Sequence, residues 1–538
     1  MTQGQDVFLR KATGLTREVG ALSGMFFNIG QGCSLVNPVF YAFPWLLYGA
    51  MGNQPIAFGV GLIGGMLVNS VYAHFSAAMP RSGGEYIFLG RTMFPELGFV
   101  VNWCVVCVFF FWETSVGLTI WPAMVNLLGF AYSPVYGGNF LALSAALTSP
   151  TASFIGASLI VIFCSAVAVV GMRTYVKMQN IIWVFGLAAI VVMAVGFTLA
   201  TRDFPATFNA WSLQYVPTVP DMYDKIINDA AASGFSLHPE GPWLEQSMVG
   251  ASYNITSVAL YCAVTTYIGG EIKKAENGIR QHIMMEGASI FLIVTLAATV
   301  LPLVNMVGLK WAASFFYIGS EAGLPLTTFV YTWYEVALGP YWGFFVSLMT
   351  VLTILVCMLT YVPIISRCLF AWSFDRVVPS QLGHVSDRWH TPTFAVGVNV
   401  IIGVILLFMA NFTPFVLGAF LAAAPLWIIA NVVIVCLAGA FFPYVRKGLY
   451  EKMPLKAEIA GIPVLTIIGL SGAAILLATC SVYVTNPAYF SSLGVSGIAV
   501  PITIFIYGSA VVVFYISRAL NKRRGIDLGL AFKQIPPA

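Results

Sequence analysis

The stretch Phe27-Asn-Ile-Gly-Gln-Gly32 lies in the middle of the first long apolar run of the chain. Two glycines that flank a glutamine would each cost a helix roughly 1 kcal/mol relative to alanine. Within hydrocarbon, backbone groups freed in this way are tolerated only where they line a cavity or meet a partner. A half-helix that begins here would direct unpaired N–H groups and the positive end of its dipole towards the membrane midplane. The stretch therefore predicts a broken membrane helix with a site for a carboxylate.

The composition of the chain limits it to one broad class. Of its 538 residues, 59% are hydrophobic and only 9% are charged, whereas a soluble protein carries about 25% charged residues. A soluble fold could not hide this much apolar surface, so the sequence predicts an all-α polytopic membrane protein. The basic residues are spread over many loops, which argues against a nucleic acid partner. The histidines are scattered, and neither a metal site nor a cofactor is predicted.

Windows of about 20 apolar residues divide the chain into twelve predicted transmembrane helices, or spans. The spans are 21–48, 55–79, 97–126, 151–172, 179–200, 249–270, 284–307, 341–366, 393–410, 414–440, 462–484 and 496–517. An even number places both termini on one side of the membrane. Of the 25 Lys and Arg residues, all but Arg202, Lys225 and Lys310 fall on that side. This asymmetry predicts that both termini are cytoplasmic.

The spans also set the expected division of the chain. Its parts are a cytoplasmic amino terminus (1–20), a core (21–440), two peripheral helices (462–517) and a basic cytoplasmic tail (518–538). The tail is expected to anchor on anionic membrane lipid. Two outer segments are long: residues 201–248 are acidic and rich in proline, and residues 308–340 are rich in aromatic side chains. We expect short helices in 308–340 that lie on the bundle. Either segment could be a lid or a cover, and a cover is favoured.

Three further segments carry a family resemblance when they are taken with Gly30-Gln-Gly32. Pro80-Arg-Ser-Gly-Gly-Glu-Tyr86 leads into the third span, and Glu271-Ile-Lys-Lys-Ala-Glu-Asn-Gly-Ile-Arg280 follows the sixth. Ser366-Arg-Cys-Leu-Phe-Ala-Trp-Ser-Phe-Asp-Arg-Val-Val-Pro379 follows the eighth. In identity, order and spacing, the four segments resemble the amino acid–polyamine–organocation (APC) superfamily. The resemblance extends over about residues 15 to 520.

The resemblance implies two five-helix repeats of inverted topology, 21–200 and 249–440, joined by the outer loop 201–248. The first helix of each repeat would be broken at the binding site. Backbone N–H groups from Gly30 to Gly32 would take a substrate carboxylate, and nearby carbonyls would take its ammonium group. The substrate-binding residues that follow from this expectation are Phe27, Asn28, Ile29, Gly30, Gln31, Gly32, Phe109, Glu113, Ser257, Leu260 and Tyr261.

Two features leave alternatives open within this site. The sixth span lacks the glycine usual in the family and contains Ser257-Val-Ala-Leu-Tyr-Cys262, so the position of its break is uncertain from the sequence. Gly30 and Gly32 could instead serve close packing of helices. Packing would not explain the polar Asn28 and Gln31 beside them.

Glu113 is the only carboxylate well inside a predicted span. A charge there costs at least about 2.5–3.5 kcal/mol unless it is paired or faces water. The resemblance places Glu113 where arginine/agmatine antiporters of the superfamily contact the substrate side chain. Glu113 could pair with a cationic substrate, carry a proton, or be a hydrogen-bonded structural acid.

The sequence also leaves open which ion, a proton or sodium, is coupled to transport. The resemblance places Gly186 where many proton-coupled relatives carry a lysine, and the missing lysine leaves room for sodium. Thr350 and Thr353 on the eighth span would offer hydroxyl groups to that ion. Threonine hydroxyls in membrane helices, however, often bond their own backbone.

These expectations together describe a secondary active transporter that moves an amino acid across the plasma membrane by alternating access. It would be coupled to a proton or a sodium ion, or would work by exchange. The alternative is a transporter for polyamines or cationic amino acids that uses Glu113; it ranks second because a polyamine has no carboxylate. The enzyme motifs H-E-x-x-H and G-x-S-x-G are absent, and the mostly apolar spans do not suggest a channel. A sensor or subunit with the same fold would lack saturable flux.

Overall fold

The fold comes from a computed structural model that describes most of the chain. The described residues are 14–31, 52–136, 139–199, 203–237, 243–248, 250–251, 255, 262–318, 324, 329–485 and 499–533.

Nearly all regular structure in these ranges is helical. The first nine helices are α1 (Ala21–Gln31), α2 (Gln54–Ala78), α3 (Glu85–Thr92), α4 (Pro95–Tyr136), α5 (Asn139–Leu147), α6 (Pro150–Val170), α7 (Met172–Leu199), α8 (Phe204–Ser212) and α9 (Met222–Ala232). A 3₁₀ helix over Val264–Glu271 precedes α10 (Gly278–Val307), α11 (Leu309–Ile318), α12 (Phe329–Leu338) and α13 (Pro340–Phe374). A 3₁₀ turn (Ser380–Gly383) precedes α14 (Thr393–Phe412), α15 (Pro414–Val445) and α16 (Lys447–Tyr450). A two-residue hairpin, β1 (Glu458–Ile459) and β2 (Ile462–Pro463), leads to α17 (Val464–Thr485), α18 (Ala499–Arg523) and α19 (Leu528–Ala531).

Ten helices in the described part of the chain are long and apolar enough to cross a membrane. They are all or part of α2, α4, α6, α7, α10, α13, α14, α15, α17 and α18, and they coincide with ten of the predicted spans. The first predicted span, 21–48, is described only as far as Gln31, and the sixth, 249–270, only in pieces up to Cys262. The chain is therefore an α-helical integral membrane protein.

Local sequence signals account for where several helices begin. Asn53 and Asn277 cap α2 and α10, because each side-chain oxygen accepts a hydrogen bond from the backbone N–H three residues on, at 3.1 and 3.0 Å. These bonds satisfy N–H groups that the first turn of a helix leaves free. Pro340 opens α13, at a position where its missing N–H costs nothing.

The eighth span is longer than the sequence suggested. We expected it to end at Ser366, with the motif beyond it, but α13 continues to Phe374. The prediction was wrong because Arg367 looked like the end of an apolar run. In the structure Arg367 is buried against Glu271, and Trp372 and its neighbours continue the buried face.

Helix α13 lies at the centre of the bundle. It packs against α1, α4, α6, α7, α12 and α14, and most of its side chains are buried. Helix α10 lies on α2, α1 and α7, so α1 is enclosed between α10, α7 and α13. This enclosure places the end of α1 in the interior of the protein.

The two long segments between membrane helices, 203–237 and the described parts of 309–338, pack on each other through aromatic rings. Trp311 on α11 is fully buried; its ring centroid lies 4.9 Å from that of Phe208 on α8, 5.4 Å from Tyr223 on α9 and 5.2 Å from Trp333 on α12. The hydroxyl of Tyr223 donates to the carbonyl of Val307 at the end of α10. The short helices expected in 308–340 are thus confirmed, and with α8 and α9 they form a single aromatic layer.

Candidate functional site

Asn28 ties α1 to two other elements. Its side-chain Nδ2 donates to the carbonyl of Met284 on α10 at 2.9 Å, and its Oδ1 accepts from the backbone N–H of Thr265 at 2.8 Å. The side chain is fully buried, and two hydrogen bonds satisfy it. Its neighbour Phe27 packs edge-on against Tyr175 on α7 at a centroid distance of 5.6 Å. These contacts hold the end of α1 in a single orientation.

Gly30 lies against α13 and α7. A Cβ atom at this position would come within 2.9 Å of Val356 Cγ1 and 3.5 Å of the indole nitrogen of Trp183. Ile29 is buried in the same apolar cluster as Trp183. Close helix packing therefore does explain the absence of a side chain at Gly30, as the alternative interpretation proposed.

Gln31 behaves differently from its neighbours. Its carbonyl accepts a hydrogen bond from the thiol of Cys357 on α13 at 3.2 Å. Its side chain is fully buried, yet among the described residues neither the amide nitrogen nor the amide oxygen has a hydrogen-bond partner. The indole N–H of Trp183, which is also buried, has none either. Unsatisfied polar groups of this kind are rare in native interiors and call for a ligand, a water or an ion.

The second half of the predicted sixth span is not an α-helix. Residues Val264–Glu271 form a 3₁₀ helix that departs from helical geometry at Ile268. The hydroxyl groups of Thr265 and Thr266 are buried there and meet no hydrogen-bond partner in the described ranges. Four of the predicted site residues lie outside the described residues: Gly32, Ser257, Leu260 and Tyr261. Irregular backbone at this depth is tolerated where it lines a cavity or is buried in protein.

Phe109 and Glu113 are on one helix but meet different neighbours. The ring of Phe109 packs against Tyr267 of the 3₁₀ helix and Tyr361 of α13, at centroid distances of 5.4 and 6.1 Å. Glu113 is fully buried and accepts a hydrogen bond from Asn399 Nδ2 on α14 at 3.0 Å. The structure thus brings Phe109 to the 3₁₀ helix, whereas the hydrogen bond of Glu113 goes to α14.

The threonines expected to serve a cation use their hydroxyl groups locally. Thr350 donates to the carbonyl of Val346, and Thr353 donates to the carbonyl of Thr350, each at 2.9 Å. A Cβ at Gly186, where the resemblance led us to look for a lysine, would lie 3.4 Å from a methyl group of Thr353. The three residues are therefore neighbours. In the described part of the chain, no group of three or more His, Cys, Asp and Glu is placed to hold a metal ion.

The family motifs meet in a buried polar network that the sequence did not predict. Arg367 holds Glu271 through two hydrogen bonds, and Arg91 on α3 pairs with Asp375 just beyond α13. Both ion pairs are almost fully buried. In the sequence these residues indicate only a family. No local pattern shows which of the charges pair, because the partners lie far apart along the chain.

Glu85 is the third buried acid of this network. Its carboxylate accepts hydrogen bonds from the hydroxyls of Tyr72 and Tyr267, each at 2.8 Å, and from Asn102 Nδ2 at 3.2 Å. Burial raises the pKa of Glu85, and these hydrogen bonds partly oppose the rise. Gly84 makes the approach possible, because its φ is +54° and a Cβ there would lie 2.6 Å from the ring of Tyr267.

Comparison with known proteins agrees with these observations. The family model described as amino acid permease matches residues 21–511. A search of curated proteins found no match. The matched range covers all the motifs on which the resemblance rests, as well as α1 and the 3₁₀ helix. The chain therefore belongs to the amino acid permease family of the APC superfamily.

Proposed function

We propose that this protein is a secondary active transporter that moves an amino acid by alternating access. Membership of a permease family supports a transporter of amino acids or related amines. The observation that carries the finer proposal is the pair of unsatisfied buried groups beside Gly30, the amide of Gln31 and the indole N–H of Trp183. A substrate with polar ends would supply the hydrogen bonds that these groups lack.

The proposal includes a core of two inverted five-helix repeats among twelve spans. Helix α1 and the 3₁₀ helix would be the described parts of the two broken helices, with the substrate between them. The side chain of Asn28, which bonds to Thr265, would keep the two parts together. Helix α1 ends at Gln31, so backbone N–H groups at Gly30 to Gly32 would take the carboxylate once its last turn opens.

The buried network of Glu85, Glu271–Arg367 and Arg91–Asp375 would close the substrate path on one side. The distribution of Lys and Arg supports assigning that side to the cytoplasm, together with both termini. The membrane is proposed to be the plasma membrane. The driving ion, proton or sodium, is part of the proposal, as is the possibility of exchange.

A ligand screen tests the assignment. The full-length protein in detergent is heated with each amino acid, agmatine or a polyamine, with and without sodium. A ligand that binds only the folded state stabilises it by about 2.7 kcal/mol at one hundred times its Kd. We expect stabilisation by one class of amino acids and saturable uptake of the same class into proteoliposomes. Response to none of these compounds would contradict the proposal, and response to amines alone would move it to polyamines.

A pair of glutamine variants connects the screen to the site. Gln31→Ala should abolish stabilisation by the ligand, because it removes the unsatisfied amide. Gln281→Ala is the control: Gln281 is equally buried and its amide oxygen also lacks a partner among the described residues, but its amide nitrogen donates to the carbonyl of Ala275 at 2.7 Å. This control should lower stability without changing the response to ligand. Equal loss in both variants would show that Gln31 serves only the fold.

A further inference from the structure

A cavity of about 330 Å³ lies where α4 begins and where α15 ends. Helix α18 and the carboxyl-terminal segment complete its wall. Among the described residues that line it, the cations are Arg446, Arg518 and Lys533, and the one carboxylate is that of Glu96. The cavity is at the end of the bundle that is rich in Lys and Arg. It is separate from the proposed substrate site, and the proposed function does not use it.

The charges of this cavity do not balance. Arg518 is paired with Glu96 at 2.8 Å, so the charge of this acid is already compensated. Arg446 and Lys533 are left in excess. The Nε atom of Arg446 is buried and has no hydrogen-bond partner among the described residues. A buried guanidinium N–H without an acceptor is costly, and an anion in the cavity would satisfy it.

The carboxyl-terminal segment is folded so that Lys533 reaches the cavity. After α18 the chain turns back, with the backbone N–H of Ile526 donating to the carbonyl of Asn521. Phe532 is only 3% exposed; its ring lies 4.8 Å from the guanidinium carbon of Arg91 and 5.6 Å from the ring of Tyr86. This anchor holds the next residue, Lys533, at the edge of the cavity. Lys533 is therefore placed by packing and is not merely part of a solvated tail.

The rest of the wall is apolar. Met93, Pro95, Phe514 and Leu528 line the same cavity. A wall that is cationic at one part and apolar at the other, at the end of membrane helices, matches a ligand with a phosphate and an acyl chain. Arginine is well suited to phosphate because its N–H groups form a planar fork.

We propose that this cavity binds a phosphate group, carried by an anionic phospholipid of the adjacent leaflet. Arg446 and Lys533 are the residues that contact the phosphate, and Phe514 and Leu528 contact the glycerol and acyl portion. A soluble phosphate ester has the same charged group but cannot use the apolar wall.

The test uses the full-length protein in a neutral detergent. The apparent melting temperature and the lipid adducts in native mass spectrometry are measured with added phosphatidylglycerol, phosphatidylcholine, glycerol 3-phosphate or inorganic phosphate. We expect phosphatidylglycerol to stabilise the protein and to bind at least about tenfold more tightly than phosphatidylcholine. Two cations that each attract the lipid by about 1 kcal/mol would together give about thirtyfold, so tenfold is the lower bound of the expected ratio.

Variants identify the site. Arg446→Gln and Lys533→Gln should each weaken binding of phosphatidylglycerol about fivefold, in line with one cation each. Lys533 is exposed, so its variant should fold even if the variant of Arg446 does not. Lys452→Gln is the control, since Lys452 is an exposed cation on the chain after α15 and does not line the cavity; it should have no effect.

Three results are distinguishable. Selective loss in the two cavity variants supports the lipid site. Equal binding of glycerol 3-phosphate, lost in the same variants, supports an anion site with a soluble occupant in place of a lipid. The proposal is overturned if phosphatidylglycerol and phosphatidylcholine bind alike, or if Lys452→Gln weakens binding as much as the cavity variants.

Discussion

The guanidinium group of Arg367 grips both carboxylate oxygens of Glu271, with Nε to Oε2 at 3.0 Å and Nη2 to Oε1 at 2.9 Å. The two side chains are 1% and 2% exposed, although 96 positions separate them in the chain. The pair joins α13 to the end of the 3₁₀ helix, and so connects the two motifs that follow the sixth and eighth spans.

Breaking this pair should destabilise the protein strongly. Glu271→Gln leaves the charge of Arg367 buried without a counter-ion, and removing one member of a buried pair costs about 3–5 kcal/mol. The control is Glu276→Gln, because Glu276 pairs with Arg17 at 3.4 Å on the surface and such pairs contribute at most about 1 kcal/mol. Chemical or thermal unfolding of both variants measures the difference. If the two variants were equally stable, the charge of Arg367 would not be buried in the absence of Glu271, and water would have to solvate it.

The turn before α3 allows a test of whether the Glu85 network requires glycine at position 84. Gly84→Ala should disrupt the Glu85 network, because the left-handed φ costs about 1–2 kcal/mol for an L-residue and the new Cβ would clash with Tyr267. Gly397→Ala is the matched control: it lies in α14 with open space around its Cα and should be neutral or stabilising by up to about 1 kcal/mol. Melting temperatures and yields are compared. A Gly84 variant as stable as this control would refute the steric argument.

Glu335 on α12 should make stability depend on pH. Burial raises the pKa of Glu335 to about 7 from 4.5. A carboxyl whose pKa is higher in the folded state stabilises the fold while protonated, so stability should fall as pH rises from 4.5 to 7. The loss is at most about 3.5 kcal/mol at higher pH, from about 1.4 kcal/mol per pKa unit.

Replacing this side chain gives the corresponding measurement. Glu335→Gln should raise the melting temperature at pH 8 and leave it little changed at pH 4.5, since the amide does not ionise. Glu451→Gln, at an exposed position, should follow the wild-type curve. If Glu335→Gln kept the pH profile of the wild type, Glu335 would be excluded as the source of the pH-dependent stability.

Glu113 distinguishes the two substrate classes. Glu113→Gln keeps an oxygen that can accept the hydrogen bond from Asn399, so the fold and the binding of a neutral amino acid should persist. Asn399→Leu should be the more damaging change, because it leaves a buried carboxylate without its donor. Both variants are assayed in the ligand screen. Loss of amine binding in Glu113→Gln alone would favour the polyamine alternative.

Hydropathy predicted the long helices well and the site only in outline. The runs that became α2, α10 and α14 could be found because burial in lipid requires about 20 consecutive apolar residues. The partners of Asn28 could not be found in this way, since its hydrogen bonds reach residues more than 200 positions away. Glu85 was visible as part of a motif, but its two tyrosine donors depend on how α2 and the 3₁₀ helix come together.

Glu271 is fixed both through its backbone carbonyl and through its side-chain carboxylate. Its carbonyl accepts hydrogen bonds from the backbone N–H groups of Glu18 and Val19, each at 2.9 Å, while its carboxylate holds Arg367. Helix α1 begins two residues after Val19 and is fastened again at Asn28. Helix α1 is thus attached at both of its ends to the 3₁₀ helix, through Glu271 and through Thr265. The two elements would therefore move together, and any motion of this unit relative to α13 would have to break or carry along the Arg367–Glu271 pair.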